Sequence, residues 1–349
     1  MTIADLVAER SVIVTVGSGG VGKTTTAAVL AMAAAIAGRR ACVVTIDPAR
    51  RLADALGLAR IGNEPARIDG PWPGELWAVM LDAKKTFDAL VDAQAPTADQ
   101  AERIKANRFY RNISGALSGT QEYMAAEKLY ELHSSGRFDV VVVDTPPSRA
   151  ALDFLDAPAR LTRFLDHRLY RLMTMPTRGP LRAVNAAAQG FVRTLAKVVG
   201  AEAIDDAITF FRAFEGMDKG FRERADAVAH LLNDPSTAYV LVASPRRDTV
   251  EEARFVAERL GQTGRNVPAV IINRMTPRFG SPPDDAVPGP LTRNLAELTT
   301  LADTEEAQLA PLFNVVGETV VVRVPLLADD VHDVEALERV RSFVFAGVG

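Results

Sequence analysis

Short apolar runs rich in β-branched residues alternate with helical stretches along most of this chain. Several of these runs are continuously apolar, which is typical of parallel strands covered by helices on both faces. The pattern therefore predicts an α/β fold with a doubly wound, mostly parallel sheet. The predicted strands are residues 12–16, 41–46, 76–81, 138–143, 239–243, 269–272 and 319–324.

Two longer stretches, residues 86–132 and 151–232, have a helical pattern instead. The second contains no convincing strand and is too long for one crossover between parallel strands. It therefore predicts an α-helical subdomain inserted into the sheet-forming core. The expected boundaries are 1–150 for the first part of the core, 151–235 for the insertion and 236–349 for the second part.

Composition and charge narrow the class of protein. The 349 residues are 48% hydrophobic and 24% charged, which describes an ordinary globular protein. The formal net charge of −4 provides no basic excess for displacing counterions, so no nucleic-acid partner is expected. The longest apolar run, residues 27–37, is far shorter than the roughly 20 residues that span a bilayer, and it predicts a buried helix rather than an integral membrane segment.

The single cysteine, Cys42, lies inside a predicted strand. One cysteine allows neither a disulfide framework nor a CxxC metal site. We expect Cys42 to be a small core residue of a reduced, intracellular protein.

A glycine-rich loop, Gly-Ser-Gly-Gly-Val-Gly-Lys-Thr at residues 17–24, follows the first predicted strand and precedes an Ala-rich helical stretch. Backbone N–H groups of such a loop point into one concavity that suits the oxygens of a triphosphate. Lys23 then supplies a charge between the β- and γ-phosphates, and the Thr24 hydroxyl joins a magnesium shell. The predicted binding residues are Gly19, Gly20, Val21, Gly22, Lys23, Thr24 and Thr25.

Two aspartates stand at the ends of other predicted strands. Asp47 lies where a carboxylate orients the attacking water beside a γ-phosphate, although a helix cap near Arg51 explains it as well. Asp144 ends a run of four valines, the Walker B arrangement, and is predicted to hold magnesium through water; the alternative is a turn starter. Since carboxyl ends of parallel strands share one edge, we expect the loop, both aspartates and Asn273 to converge there.

Together these segments resemble the ATPase family that includes the arsenical-pump ATPase and the guided-entry ATPase, which targets tail-anchored membrane proteins. The resemblance covers nearly the whole chain. Residues 47–49, Asp-Pro-Ala, are similar to the family's first switch, and residues 144–148, Asp-Thr-Pro-Pro-Ser, to its second. The resemblance implies that Asn273 recognises adenine, since an amide can donate a hydrogen bond to the base edge and accept one from it. Loop asparagines are more often turn formers. The same resemblance implies that Pro325 and Leu326 belong to an adenine-covering loop.

The resemblance implies ATP and magnesium as ligands, Asp47 and Lys23 as catalytic residues, a dimer, and a cytoplasmic protein with peripheral membrane association left open. Two departures bear on this. Ser18 stands where the family usually has a lysine that reaches the opposite nucleotide of the dimer, and residues 148–150 read Ser-Arg-Ala instead of Thr-Gly-His. Arg149 is either a substitute charge donor or a solvated surface residue.

These departures are most similar to the lysine-lacking, BagB-type partner of a bacterial ATPase pair. That similarity leaves two assemblies open, a homodimer and a heterodimer with a lysine-bearing paralogue. It also leaves two functions open: an ATPase whose cycle opens and closes a client site, and a regulatory nucleotide-binding subunit with little hydrolysis of its own.

A client would need an apolar groove in the helical insertion. One candidate is an apolar series with interspersed arginines that suit an acidic lipid or a charged flank; the alternative is a helix packed on its own core. The expected partner is therefore a hydrophobic client or a membrane protein. The apolar residues are Phe164, Leu165, Leu169, Tyr170, Leu172, Met173 and Met175, and the arginines are Arg160, Arg163, Arg168, Arg171 and Arg178.

Overall fold

The computed structural model describes residues 2–47, 51–58, 60–108, 110–111, 119–167, 201–214, 216–280 and 289–346. Proximity of Cα atoms divides the chain into two compact units. The sheet unit comprises Met1–Leu81, Glu131–Leu152 and Asn233–Gly349, and the helical unit comprises Asp82–Tyr130 and Asp153–Leu232. The domain boundaries expected from the sequence remain a prediction.

The sheet unit contains one eight-stranded sheet with the strand order β3-β4-β2-β5-β1-β6-β7-β8. All neighbouring strands are parallel except β3 and β4. This confirms the mostly parallel, doubly wound sheet that the apolar runs predict. The strands are β1 Val12–Gly17, β2 Arg40–Thr45, β3 Ala66–Ile68, β4 Glu75–Met80, β5 Val140–Asp144, β6 Thr237–Ala243, β7 Ala269–Met275 and β8 Val320–Pro325.

Most strand ends differ from the predicted ones by one or two residues, and three differences bear on the site or the topology. Strand β3 was not predicted, because it is only three residues long and carries one fully buried side chain. Strand β5 ends on Asp144 rather than before it, and β7 continues through Asn273 to Met275. The pairing of β7 with β8 is irregular between Ile272 and Met275, so the backbone departs from a regular strand at Asn273.

Helices connect the strands and make up the helical unit. Helix α2 begins directly after the glycine-rich loop, and its alanines are buried, as the apolar run at 27–37 predicts. The helices are α1 Ile3–Glu9, α2 Lys23–Ile36, α3 Arg51–Ala55, α4 Ala83–Gln94, α5 Ala98–Ala106, α6 Thr120–Ser134, α7 Ser148–Asp166, α8 Ala201–Ala213, α9 Asp218–Asn233, α10 Arg247–Gln262, α11 Pro290–Gln308, α12 Ala310–Val316 and α13 Val334–Val344.

Each unit has its own apolar core. In the sheet unit, α2 and the middle of the sheet share one cluster of buried Ala, Val, Leu and Ile side chains. Cys42 is fully buried in β2, as expected. The helical unit has a second cluster, in which aromatic rings contact one another, and its aromatic members are Phe87, Tyr110, Tyr123, Phe210, Phe214 and Phe221.

The helical unit also contains an ion pair whose carboxylate is buried. Glu127 on α6 is 4% exposed, and its Oε1 accepts a hydrogen bond from Arg224 Nε on α9 at 2.7 Å. The Arg224 guanidinium lies 4.2 Å from the centre of the Tyr130 ring. Glu127 Oε2 and the Tyr123 hydroxyl are buried with no hydrogen-bond partner among the described residues.

The structure describes only the first residues of the predicted client groove, those up to Leu165. Phe164 is 47% exposed, whereas Leu165 is buried at 4%. Arg160 pairs with Asp153, and Arg163 donates to a backbone carbonyl of its own helix. The other members lie outside the described residues, so the groove stays a prediction: Arg168, Leu169, Tyr170, Arg171, Leu172, Met173, Met175 and Arg178. No helix in the described ranges is long and apolar enough to cross a membrane.

Candidate nucleotide-binding site

The glycine-rich loop joins β1 to α2 and has the left-handed backbone that its glycines permit. Gly20 has φ +75° and Gly22 has φ +97°, backbone conformations that residues with a Cβ rarely adopt. Gly22 is also the N-cap of α2. A Cβ on Gly22 would lie 2.2 Å from Asn273 Nδ2, whereas one on Gly20 would meet no atom within 4 Å. The backbone conformation therefore favours glycine at position 22, and a larger residue would displace the Asn273 amide.

Lys23 begins α2 and is almost completely buried, with 7% exposure. Its ammonium group donates to the Ser18 carbonyl at 2.7 Å. Burial lowers the pKa of Lys23, and the carboxylates of Asp144 and Asp47 oppose that shift. The lysine is thus held inside the loop that the sequence assigns to phosphate.

Asp144 lies at the end of β5 and is 1% exposed. Its Oδ2 accepts hydrogen bonds from the hydroxyls of Thr24 and Thr45, each at 2.8 Å. Its Oδ1 is buried with no partner among the described residues. Thr45 was not identified from the sequence, although its place at the end of β2, beside the end of β5, is the signal that would have found it.

Burial raises the pKa of Asp144 to about 6, because the charged form loses its hydration. The hydrogen bonds from Thr24 and Thr45 and the charge of Lys23 reduce this shift, and Asp47 adds to it. The carboxyl group is therefore held in a site that does not fully compensate its negative charge.

Asp47 and Lys23 line one cavity of about 360 Å³, together with Thr24 and Thr25. The Asp47 N–H donates to the Thr45 hydroxyl at 3.3 Å, and its carboxylate lies 3.6 Å from the Arg51 guanidinium. Residues 48–50 of the predicted first switch lie outside the described residues.

A second cavity, of about 430 Å³, is lined by Thr25, Asn273, Pro325 and Leu326. Thr25 and Gly22 line both cavities, so the two adjoin. Leu326 is 57% exposed. Residues predicted to bind phosphate line the first cavity, and residues predicted to bind adenine line the second.

Asn273 is tied into the loop by its side-chain amide. Its Nδ2 donates to the Val21 carbonyl at 2.9 Å, and its Oδ1 accepts the Arg274 N–H at 3.0 Å. An amide group has two donors and two acceptor lone pairs, so one of each is left for a base edge. Adenine reading by Asn273 is compatible with this geometry.

The other residues named from the sequence lie at different positions. Gly19, Gly20 and Val21 line a third cavity of about 220 Å³. Arg149 is exposed at the start of α7 and lines none of the three cavities. Ser18 is 3% exposed, and its hydroxyl has no partner in the described part of the chain. The catalytic, metal and base-binding roles of all these residues stay predictions.

Comparison with known proteins gives matches over nearly all of the chain. A family model described as anion-transporting ATPase matches residues 10–346. A protein of Aspergillus terreus named ATPase get3 is 26% identical over 327 residues, which are 93% of this chain and 87% of that protein. The ATPase GET3 of Malassezia globosa is 25% identical over 329 residues, 94% of this chain and 88% of that protein. An uncharacterised protein of Streptomyces coelicolor is 30% identical over 285 residues, 81% of this chain and 67% of that protein.

Proposed function

The chain belongs to the anion-transporting ATPase family, and on that premise we propose that it is a magnesium-dependent, dimeric ATPase. In this proposal the nucleotide state opens and closes a site for a hydrophobic client or membrane protein. The main support for this function is the arrangement of four residues. Lys23 and Thr24 of the glycine-rich loop line one cavity with Asp47, and Thr24 is hydrogen-bonded to the buried Asp144.

Family membership confirms the sequence-based resemblance and the P-loop fold, and it supports ATP binding and ATPase activity in general. The finer similarity to a lysine-lacking, BagB-type partner remains a prediction. We infer a cytoplasmic location, with association at a membrane surface as the alternative.

The residues around Asp144 fit a magnesium ion. The buried Asp144 Oδ1 lacks a protein partner, and the Thr24 hydroxyl is bonded to the other oxygen of the same carboxylate. Carboxylate, hydroxyl and water oxygens are the ligands that magnesium prefers. Magnesium bound there would neutralise charge on the phosphate oxygens. Thr24 and Asp144 are the residues we propose to hold it.

The chain's own groups supply the rest of the reaction. The loop N–H groups bind the phosphates, and the Lys23 ammonium exchanges the Ser18 carbonyl for a phosphate oxygen. The Asp47 carboxylate accepts a hydrogen bond from the attacking water and so orients it towards the γ-phosphorus. Positioning and charge stabilisation account for most of the rate in this type of reaction.

Ser18 supports a second candidate function. A serine with a buried, neutral side chain provides no charge to the nucleotide of a dimer partner. The chain would then be a regulatory subunit that binds ATP and needs a lysine-bearing paralogue for efficient hydrolysis. Steady-state hydrolysis by this chain alone, compared with mixtures containing paralogues, distinguishes the two functions.

The Asp47→Asn variant tests the first function. We expect it to lower turnover by about 100-fold or more, because the amide is a far weaker acceptor for the water proton, while ATP affinity stays within about threefold. Asp69→Asn, an exposed change outside the site, is the matched control and should hydrolyse ATP normally. Normal turnover by Asp47→Asn would show that Asp47 has another role. A wild-type chain that binds ATP but hydrolyses none alone would favour the second function.

A further inference from the structure

Arg274, directly after Asn273, has an unusual backbone. Its φ is +63°, and it is the only residue other than glycine with positive φ in the described part of the chain. An L-residue rarely adopts this conformation unless its surroundings hold it there. Here the Asn273 amide does so, because it accepts the Arg274 N–H and donates to the Val21 carbonyl of the glycine-rich loop.

Arg274 lies where the three cavities of the candidate site meet. Arg274 lines the 220 Å³ cavity beside Gly20, the 360 Å³ cavity beside Lys23, and the 430 Å³ cavity beside Asn273. The residue is exposed, so its guanidinium is accessible to a ligand in these cavities. Its position is thus between the predicted phosphate and base sites.

The charges around the three cavities set Arg274 apart from the other arginines that line them. Arg51 lies 3.6 Å from the Asp47 carboxylate, and Arg246 pairs with Asp248 at 2.9 Å. Within the described residues, Arg274 has no such ion pair.

In the described part of the chain, five carboxylates line these cavities together with Arg274. Asp47 and Asp54 line the 360 Å³ cavity, Asp329 and Asp330 line the 430 Å³ cavity, and Glu305 lines the 220 Å³ cavity. The position of Glu305 beside Arg274 does not make it a partner. The two Glu305 oxygens already accept hydrogen bonds from the N–H and hydroxyl of Thr276, at 2.7 and 2.9 Å. Among the described residues no ion pair joins any of these carboxylates to Arg274, and Asp47 is paired with Arg51 instead. The Arg274 guanidinium is therefore an accessible positive charge.

We propose that Arg274 binds the phosphates of the nucleotide and supplies, within this chain, positive charge that Ser18 does not provide. A guanidinium presents two parallel N–H donors that match two oxygens of a phosphate. The strained backbone at Arg274 and the irregular β7–β8 pairing are then the means by which the fold directs this side chain to the ligand. This inference rests on the proposed ATP site.

The Arg274→Gly variant tests the proposal with little risk to folding. Glycine adopts positive φ without strain and keeps the N–H that Asn273 accepts, so only the cation is removed. We expect binding of ATP and ADP to weaken by about tenfold or more at low salt, because a charge-assisted bond to phosphate is lost. Binding of adenosine, which has no phosphate, should stay within about twofold. Arg274→Lys should recover part of the ATP affinity, since charge returns without the paired donors.

Arg278→Gly is the matched control. It removes an exposed arginine four residues away that pairs with Asp303 and lines none of the three cavities, so nucleotide affinity should not change. Equal ATP affinity of Arg274→Gly and wild type would overturn the proposal, as would equal losses for ATP and adenosine. A wild-type chain that binds no ATP would instead overturn the proposed function. Calorimetric titration, with circular dichroism to verify folding, gives each readout.

Discussion

The sheet unit and the helical unit each bury a carboxylate, but they compensate its charge differently. Asp144 of the sheet unit receives hydrogen bonds from two neutral hydroxyls, those of Thr24 and Thr45. Glu127 of the helical unit is bonded to the Arg224 guanidinium, a full positive charge. Each carboxylate retains one buried oxygen with no partner in the described chain. A carboxylate that is hydrogen-bonded to a cation serves structure. A carboxylate that is hydrogen-bonded only to hydroxyls, with the Lys23 charge nearby, is available to a further cation.

The largest expected effect comes from breaking the pair in the helical unit. Arg224→Met leaves the Glu127 carboxylate buried without its counter-charge, and we expect a loss of about 3 kcal/mol in the free energy of unfolding. The Glu127 side chain is only 5% exposed, so solvent replaces little of the lost interaction. Urea unfolding at pH 7, followed by circular dichroism, measures this loss.

The double variant Glu127→Leu with Arg224→Met is the control for that experiment. Replacing both charges by apolar groups of similar volume removes the unpaired carboxylate, so most of the stability should return. A loss below about 0.5 kcal/mol in the single variant would show that the pair does not stabilise the helical unit.

In the sheet unit, removing the charge of Asp144 should stabilise the folded state, and the size of this effect should depend on pH. The pKa of Asp144 is raised from 3.8 to about 6 in the folded chain without ligands, so the folded state holds its proton longer than the unfolded state does. Between about pH 4 and 6 the free energy of unfolding therefore falls as pH rises. Asp144→Asn removes this titration and should be more stable than wild type at pH 7.5, by up to about 3 kcal/mol, with the difference vanishing near pH 4.

Denaturant unfolding of the metal-free and nucleotide-free proteins from pH 4 to 7.5 tests that expectation. Asp139→Asn provides a control of opposite sign, because hydrogen bonds from Arg40 lower the pKa of Asp139. The stabilisation by Asp139 should be present at pH 7.5 and disappear as pH falls through its lowered pKa. A pH-independent difference between wild type and Asp144→Asn would contradict the raised pKa.

The sequence alone was enough to predict the sheet and the phosphate loop, because both depend on local pattern. Continuous apolar runs indicate buried parallel strands, and a glycine-rich turn between such a run and a helix indicates phosphate binding. Strand β3 escaped prediction because three residues with mixed burial carry no periodicity. Its antiparallel pairing with β4 follows from tertiary contacts that no local pattern encodes.

The parts of the site that were missed depend on contacts between distant residues. The hydroxyl of Thr45 meets Asp144 across 99 positions of sequence, and the Asn273 amide meets Val21 across 252. The positive φ of Arg274 accompanies a hydrogen bond from its N–H to the same Asn273 amide, which residue type alone does not predict. Residue types alone therefore indicated a ligand class but not the arrangement of the groups that surround it.

The smallest expected effect concerns a third buried polar group, the hydroxyl of Ser18. It has no partner in the described chain, unlike the hydroxyl of Thr24, which donates to Asp144 at 2.8 Å. An unpaired buried hydroxyl destabilises the folded state, so Ser18→Ala should leave stability unchanged or raise it by up to about 1 kcal/mol. Thermal unfolding measures this, with Thr24→Val as the matched hydroxyl deletion that should lose stability. A loss of more than about 1 kcal/mol in the free energy of unfolding of Ser18→Ala would mean that the hydroxyl has a hydrogen-bond partner. In that case the unpaired oxygen of Asp144 would not be typical of the buried polar groups in the sheet unit.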